Sequence, residues 1–267
     1  MAHRTAVLFC LWMSLALPAL AAPPSAMEIA RGMKAALEPQ QASLRTFEVL
    51  ITAPEGGKTS WLARQARKQL PDGKRMLTVL LDPADVRGTA VLVHERPGEQ
   101  EIQWAYLPAL RRVRKLVDRT AFESVLGTDV TYSDMGFFDL TDRAFEFLGE
   151  EKHQGQRAYK LQEVPKDKWL FSRVVSFVDP ATMLPVRREY YDLVGELWKV
   201  AVRDRSTVVD GVPTPLHFRM EDKQAGGSTD VQVTEVRYQV TLPDELFQPG
   251  QLPEAASHPV WQQPSRK

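Results

Sequence analysis

Cysteine, histidine and asparagine are scarce or missing in this sequence. Its 267 residues contain one cysteine and five histidines, and asparagine does not occur. A single cysteine excludes a disulfide within the chain, cysteine-based zinc sites and iron–sulfur clusters. Without Asn there is no N-linked glycosylation site. The histidines after the N-terminal region show no metal-ligand spacing, so we expect neither a metal nor a cofactor; they are His94, His153, His217 and His258.

An excess of charge is also missing. Lys and Arg together number 34, as do Asp and Glu, so the formal net charge is zero. No overall field exists to draw the chain onto a polyanion, and we therefore expect no nucleic-acid partner. The 43% of hydrophobic residues is typical of a folded globular protein with a substantial core.

Motifs for catalysis are absent as well. The sequence has no G-x-S-x-G nucleophile elbow, no Walker A loop, no G-x-G-x-x-G turn and no EF-hand loop. Acidic pairs such as Asp139 with Asp142, or Glu150 with Glu151, could act as general acid and base, but such pairs are typical of solvated turns. We therefore expect that the protein is not an enzyme.

The N-terminus has the pattern of an export signal. Arg4 precedes an apolar run over residues 6–17, and Pro18 comes before an Ala-Leu-Ala sequence that ends at Ala21. The apolar run is too short for a membrane-spanning helix. Cys10 lies inside this run, whereas an acylated cysteine follows it. The pattern predicts a cleaved signal peptide over residues 1–21 and a soluble periplasmic protein.

The rest of the chain is predicted to hold one helix followed by many strands. Ser25 and Glu28 form a capping-box sequence, an apolar stripe at spacing four follows, and Pro39 ends the helix. Short β-rich runs separated by turn residues then continue to residue 240, which favours one antiparallel sheet or open barrel over βαβ units. We expect a single domain over residues 22–252 and an extended or disordered Pro- and Gln-rich tail over residues 253–267.

Two stretches do not fit a plain sandwich. Residues 76–81 are apolar on both faces, which predicts a strand that is covered on both sides or lines a cavity. Residues 118–142 form a long insertion, rich in apolar side chains, without a strand pattern. Such an insertion is typical of a lid or binding loop, and the alternative is a satellite core cluster.

One basic cluster stands out against the neutral background. It comprises Arg111, Arg112, Arg114 and Lys115. It could form a positive rim for a lipid phosphate or an acidic partner surface. Equally, it could be the exposed face of a strand balanced by nearby acids.

Three motifs resemble the outer-membrane lipoprotein-sorting family of LolA-like proteins. They are Trp104-x-Tyr106-Leu107-Pro108 with Arg111-Arg112-Val113, the stretch Gly127-Thr128-Asp129-Val130-Thr131-Tyr132-Ser133-Asp134-Met135, and the block Val178-Asp179-Pro180-x4-Pro185-x-Arg187-x-Glu189-Tyr190-Tyr191-Asp192-x2-Gly195-x-Leu197. The resemblance implies a mainly β (α+β) fold. Its form would be an incomplete antiparallel β-barrel curved around a hydrophobic cavity, with an N-terminal helix and a mid-sheet helical or loop lid.

The same resemblance implies a carrier function. The protein would sequester lipid or lipoprotein acyl chains and pass them between envelope membranes, as a monomer. Possible partners are an inner-membrane transporter of the RND type and an outer-membrane acceptor. The alternative is a non-enzymatic adaptor for such a transporter or another envelope complex, with a purely structural cavity. An arginine holds the lid shut in the best-known carriers, and Arg64 and Arg67 are the candidates here.

The carrier hypothesis assigns residues to the cavity wall and to the lid. The expected wall residues are Val49, Ile51, Trp61, Leu80, Trp104 and Tyr106. The expected lid residues, which would fill the empty cavity, are Met33, Leu37, Met135, Phe137 and Phe138. The wall depends on which strand faces turn inward, and a slip of one residue reverses every strand.

Overall fold

The computed structural model of the chain describes residues 23–117, 120, 122–166 and 170–262. The predicted signal peptide, residues 1–21, lies outside the described residues. Within them, no helix is long and apolar enough to cross a membrane.

The one α-helix of the described residues begins where the capping box predicts. Helix α1 runs over Ala26–Leu37. The backbone N–H of Glu28 donates to Ser25 Oγ at 3.3 Å, and the backbone N–H of Ser25 donates to the Glu28 carboxylate at 2.7 Å. These two bonds satisfy N–H groups that the first helical turn leaves unpaired. The apolar stripe of the helix is buried against the sheet through Ile29 and Met33.

Fifteen strands follow in the described part of the chain. They are β1 (Ser43–Thr52), β2 (Lys58–Leu70), β3 (Gly73–Asp82), β4 (Ala90–Glu95), β5 (Ile102–Leu107), β6 (Arg112–Leu116), β7 (Arg143–His153), β8 (Gln156–Pro165), β9 (Arg173–Val178), β10 (Pro185–Tyr191), β11 (Leu197–Val202), β12 (Ser206–Val209), β13 (Val212–Pro215), β14 (His217–Asp222) and β15 (Ser228–Tyr238).

Thirteen of these strands form one antiparallel sheet. Its order is β6-β5-β4-β3-β2-β1-β15-β14-β11-β10-β9-β8-β7, and β12 pairs with β13 in a separate hairpin. The pairing of β1 with β15 joins an N-terminal meander to a C-terminal one. The sheet is large, curved and not closed into a barrel. The predicted fold class, a mainly β incomplete barrel with few helices, is confirmed.

Tight turns between neighbouring strands set the register. At the β2–β3 turn, Gly73 has φ +135°, and a Cβ built on it would lie 2.0 Å from the carbonyl oxygen of Glu95. Only glycine fits this close approach. The turn fixes the pairing in which Arg67 faces Met76.

The two faces of the N-terminal half have different covers. On β3, side chains at 77 and 79 point to one face, and those at 76, 78 and 80 point to the other; all five are buried. This burial confirms the prediction that β3 is covered on both sides. We call the side of residues 76, 78 and 80 the cavity face, and the other side the opposite face.

The C-terminal cover, residues 242–262, lies on the opposite face. It consists of the 3₁₀ helices Asp244–Phe247, Pro249–Ser257 and Pro259–Gln262. Its buried side chains pack on Leu77, Val79 and Leu92; they are Leu242, Leu246, Phe247, Leu252, Ala255, Val260 and Trp261. The predicted loose tail is therefore wrong for residues 253–262, since apolar side chains hold them to the sheet. Residues 263–267 lie outside the described part.

Residues 122–142 of the insertion between β6 and β7 lie on the cavity face. Its first part is anchored to the middle of the sheet, because the Asp129 backbone N–H donates to Thr229 Oγ1 on β15 at 2.9 Å. A 3₁₀ turn, Ser133–Met135, follows, and the chain then reaches the C-terminal end of α1. We call residues 133–138 the lid segment.

Candidate functional site

A cavity of about 340 Å³ lies between the sheet, the C-terminal end of α1 and the lid segment. Both halves of the sheet contribute to its walls. The apolar lining residues include Leu37, Phe47, Val49, Trp61, Leu80, Val125, Val130, Met135, Phe137, Phe138, Phe171, Phe218, Met220, Val231 and Val233. The volume lies at the lower end of the range of about 300–1,000 Å³ that is typical of small-molecule sites.

The structure places three of the expected wall residues in the cavity lining. Val49, Trp61 and Leu80 pack together on the cavity face, and all three line the cavity. Ile51 belongs to the same buried cluster but lies further along β1, outside the lining. Cross-strand pairing brings them together, since Val49 lies opposite Trp61.

Trp104 and Tyr106 do not lie where the carrier hypothesis put them. Both side chains pack against the opposite-face core with the C-terminal cover, and the ring of Trp104 lies 4.7 Å from that of His94. The intervening Ala105 points to the cavity face. The predicted face of β5 was therefore wrong by one residue. Side chains alternate between the two faces of a strand, and the motif alone does not show which residues face the cavity.

Four of the five expected lid residues lie at the cavity. Leu37 lines it from the end of α1, and Met135, Phe137 and Phe138 line it from the lid segment. Met33 is different: it is fully buried between α1 and the sheet and packs beside Phe138, outside the lining. Met33 is therefore corrected from a lid residue to a core residue that supports the lid.

Carboxylates hold the lid segment in place. The backbone N–H of Phe137 donates to Glu101 at 2.7 Å, and that of Phe138 donates to Glu38 at 2.5 Å. Lys34 donates to the Phe138 carbonyl oxygen at 2.7 Å. Burial raises the pKa of Glu101 to about 7, although the hydrogen bond from Phe137 opposes this shift. The lid is thus held by a carboxyl group that titrates near neutral pH.

Gly136 allows this close contact between lid and sheet. A Cβ at Gly136 would lie 2.3 Å from a carboxylate oxygen of Glu101, which is already held by Phe137 and Gln103. Any larger residue would have to displace the carboxylate. The sequence contains both residues, but nothing in it indicates that Gly136 contacts Glu101.

Five arginines line the cavity, and none of them was proposed as a wall residue from the sequence; they are Arg45, Arg67, Arg143, Arg188 and Arg203. Charged residues in a strand are expected to face solvent when no cavity is known. The usable signal was the spacing of Arg45 with Phe47 and Val49, which puts the arginine on the same strand face as apolar wall residues.

Two of these arginines belong to a buried ion-pair network. Arg143 donates to Glu163 at 2.7 Å, and Arg188 donates to the other oxygen of the same carboxylate. Burial alone would raise the pKa of Glu163, but Arg188 and Arg143 together hold it below its usual range. This network joins β7, β8 and β10 at one end of the cavity, and its arginines favour the ionised form of the Glu163 carboxylate.

Arg67 lies beneath the lid. It donates to the carbonyl oxygen of Leu37 at 2.9 Å, and its guanidinium lies 5.7 Å from the ring centre of Phe137. Arg64, three residues earlier on β2, points to the opposite face and donates to the Trp261 carbonyl oxygen at 2.9 Å. Of the two candidates for a lid-holding arginine, Arg67 is the one on the lid side.

The basic cluster lies away from the cavity. Arg112 and Lys115 are exposed on β6, an edge strand of the sheet, and Arg111 forms the turn before it. Arg114 forms an ion pair with Glu123 at 2.7 Å. The cluster therefore remains a candidate partner surface and does not form a rim of the cavity.

Among the described residues, no group of three or more His, Cys, Asp or Glu side chains could hold a metal ion.

Comparisons with known proteins place this geometry in context. A family model whose description reads "-like: Uncharacterized protein" matches residues 72–254. An outer membrane lipoprotein-sorting protein domain from Vibrio parahaemolyticus is 29% identical with a TM-score of 0.79; the match covers 85% of this chain and 98% of that one. A DUF1329 family protein from Desulfovibrio piger is 27% identical with a TM-score of 0.79, over 84% and 96% of the two chains.

A third structure shares the fold at lower identity. The LolA superfamily protein NE2245 from Nitrosomonas europaea is 19% identical with a TM-score of 0.68, over 85% of this chain and 98% of that one. No curated protein matches the chain.

Proposed function

Because the chain belongs to the outer-membrane lipoprotein-sorting family of LolA-like proteins, we propose that it is a carrier that sequesters lipid or lipoprotein acyl chains in its cavity. It passes them between the membranes of the bacterial envelope. The observation that carries this proposal is a cavity with apolar walls from both halves of the sheet, covered by a lid segment that polar contacts hold.

The energetics favour an apolar cavity with a movable cover. Burial of one methylene is worth about 0.8 kcal/mol, so an acyl chain of roughly 15 methylenes gains on the order of 12 kcal/mol when it leaves water. A carrier has to supply most of this free energy and still release the chain. A lid that fills the empty cavity offsets part of the binding energy when it opens.

The size of the cavity supports this mechanism. Its volume of about 340 Å³ is small for cargo with more than one acyl chain. Phe137 and Met135, which point from the lid segment into the cavity, occupy space that such cargo would need. In this proposal the structure corresponds to the closed form of the carrier, and Phe137 and Met135 leave the cavity when cargo enters.

The place of action follows from the export signal. Cleavage of the predicted signal peptide near Ala21 would deliver the carrier to the periplasm. There it would take cargo from an inner-membrane partner, such as an RND-type transporter, and give it to an outer-membrane acceptor. The chain shows no nucleotide-binding motif, so a partner would supply any energy input.

The test is native mass spectrometry of the protein purified from bacterial periplasm, with organic extraction and lipid analysis of the same sample. A cavity-filling variant, Val49→Phe, is compared with Val208→Phe, which makes the same change at an exposed position. We expect bound phospholipid or acylated peptide in the natural protein and in Val208→Phe, and less in Val49→Phe. A natural protein that is empty and takes up no alkyl chain contradicts the proposal.

A second candidate function rests on the edge of the sheet. Strand β6 ends the sheet in the described residues and carries the exposed side chains of Arg112 and Lys115. An unpaired edge strand can accept a strand from a partner protein. An adaptor of this kind would bind its partner through β6 with the cavity empty. The adaptor would be favoured if a cavity-filling variant still binds the partner and if substitution of Arg112 and Lys115 abolishes that binding.

A further inference from the structure

Three of the arginines that line the cavity have no carboxylate partner within the described chain. Arg45 donates to the Tyr238 hydroxyl at 3.1 Å, and Arg203 donates to the Pro185 carbonyl oxygen at 3.5 Å. Arg67 donates to the Leu37 carbonyl oxygen and to the sulfur of Met76, the latter at 3.2 Å. All three therefore bring a positive charge to the cavity wall, and their hydrogen-bond acceptors there are neutral. Carboxylates act on two of them only without direct contact, Glu38 on Arg67 and Asp134 on Arg203.

Arg45 and Arg67 lie close together on the same face of the sheet. Arg45 pairs with Gln65 across β1 and β2, and Arg67 pairs with Ser43, so the two arginines are diagonal neighbours. The Nε atom of Arg45 is buried and has no hydrogen-bond partner in the described part of the structure. Burial and the nearby charge of Arg45 lower the pKa of Arg67 to about 10. The two positive charges repel each other, and one guanidinium has an N–H group without an acceptor. Both features raise the free energy of the folded protein when nothing is bound beside them.

The carboxylates of the cavity wall are already engaged. Only two acidic side chains, Glu38 and Asp134, appear among the described lining residues. Glu38 forms ion pairs with Lys34 and Lys74 and accepts the N–H of Phe138. Asp134 accepts the backbone N–H of Thr131 at 2.9 Å. Within the described residues, Arg45 and Arg67 therefore form no ion pair, and the Glu38 charge that acts on Arg67 is already paired with two lysines.

We propose that the cargo of this cavity is an anionic amphiphile, an alkyl chain joined to a carboxylate or phosphate head, and that Arg45 and Arg67 bind the head while Trp61, Leu80 and Phe137 enclose the chain. This inference rests on the proposed carrier function and narrows its cargo. Guanidinium groups bind carboxylate and phosphate oxygens through two parallel N–H bonds, a geometry that neutral ester heads do not match.

The position of the pair adds a link to the lid. Arg67 lies under Phe137 and contacts the carbonyl oxygen at the end of α1. A head group that draws Arg67 toward itself takes the guanidinium away from Leu37 and Phe137. Head-group binding and lid opening are therefore coupled through one side chain.

The experiment measures displacement of the neutral fluorophore N-phenyl-1-naphthylamine by alkyl probes below their micelle concentrations. The probes are hexadecanoate, hexadecyl phosphate and the neutral monopalmitin, with inorganic phosphate as the anion that lacks an alkyl chain. A hydrogen bond to a charged group is stronger than one between neutral groups, so we expect the anionic probes to bind at least about tenfold more tightly than monopalmitin. Inorganic phosphate is expected to displace nothing.

The double variant Arg45→Gln/Arg67→Gln is expected to reduce the preference for anionic probes to about threefold or less, since it removes both charges. Arg64→Gln is the matched control, because it removes a charge from the same strand on the opposite face. It is expected to keep the full preference. Thermal melting of each variant confirms that it is folded.

The outcomes separate this inference from the carrier proposal. Equal binding of anionic and neutral probes to the natural protein, or an unchanged preference in the double variant, overturns the anionic head-group site and leaves the carrier function standing. Displacement by inorganic phosphate alone would show a free-anion site and also overturn it. Failure of the fluorophore and every alkyl probe to bind counts against the carrier function itself.

Discussion

The sheet is covered on its two faces in different ways. On the opposite face, the C-terminal cover contributes seven buried apolar residues to one continuous core cluster with the strands. On the cavity face, the lid segment leaves a space of about 340 Å³, and backbone bonds to Glu38 and Glu101 hold it in place. Side chains enter tight packing on one face and line a cavity on the other.

This difference shows how one sheet can be both rigid and open to a ligand. Close packing of apolar groups stabilises the fold and resists change. Polar contacts to a few carboxylates can exchange for water or for a ligand at smaller cost. We infer that the C-terminal cover is the fixed wall of the molecule and that the lid segment is its moving part.

The largest effect is expected in the fixed cover. Phe247 is 1% exposed and belongs to that cluster. Replacing a buried Phe by Ala costs about 3–5 kcal/mol because it removes buried area and leaves a void. We expect Phe247→Ala to lower the free energy of unfolding by that amount in urea denaturation.

Phe137→Ala is the counterpart of this variant in the lid. Phe137 is only partly buried and lines the cavity. We expect its loss to cost clearly less stability than Phe247→Ala. Equal losses in the two variants would show that both covers are equally fixed and would end the distinction between them.

The carboxyl of Glu101 is expected to make stability depend on pH. Its pKa is about 7 in the folded protein against an ordinary value of 4.5. Between these values the folded state binds more protons than the unfolded chain, so this contribution is full below about pH 4.5 and is lost as the pH rises through 7. Each pKa unit corresponds to about 1.4 kcal/mol.

Glu101→Gln removes this titration. We expect its free energy of unfolding, relative to the natural protein, to rise steadily from pH 4.5 to pH 7 in denaturation series. Glu99→Gln changes an exposed carboxyl two residues away and serves as the control. Parallel pH curves for the natural protein and Glu101→Gln would contradict the assignment.

A smaller effect of opposite sign is expected at Arg67. Its charge is buried and forms no ion pair in the described structure, and burial together with the charge of Arg45 lowers its pKa to about 10. An unpaired buried charge destabilises the folded state, so Arg67→Met is expected to raise the free energy of unfolding by about 1 kcal/mol. A loss of several kcal/mol in thermal or urea unfolding would instead show that the bond to Leu37 is a structural necessity.

Much of the fold could be predicted from local patterns. The capping box at Ser25 and Glu28 marked the start of the helix, and turn residues such as Asp210 with Gly211 separated the strands. The double apolar face of β3 correctly indicated cover on both sides. These signals depend only on residues that are neighbours in the sequence, so they can be recognised without knowledge of the tertiary fold.

The site was less accessible from the sequence for two physical reasons. Alternate residues of a strand point to opposite faces of the sheet, and the sequence does not show which set faces the cavity; Trp104 and Tyr106 were assigned to the wrong face. Long-range contacts also have no local signature. The cavity lining around Arg45 comes from strands that are distant in the chain. In the C-terminal cover, the prolines near Leu252 interrupt the sequence, so its buried residues follow neither helix nor strand periodicity.

The measurement that tests the account most directly is amide hydrogen exchange of the two covers, with and without hexadecanoate. The amides of Phe137 and Phe138 report on the lid segment, and those of Leu252 and Ala255 report on the C-terminal cover. The account predicts that ligand changes the exchange of the lid amides several-fold and leaves the C-terminal cover unchanged. Equal changes in both covers, or none in the lid with ligand bound, would contradict a carrier that opens through this lid.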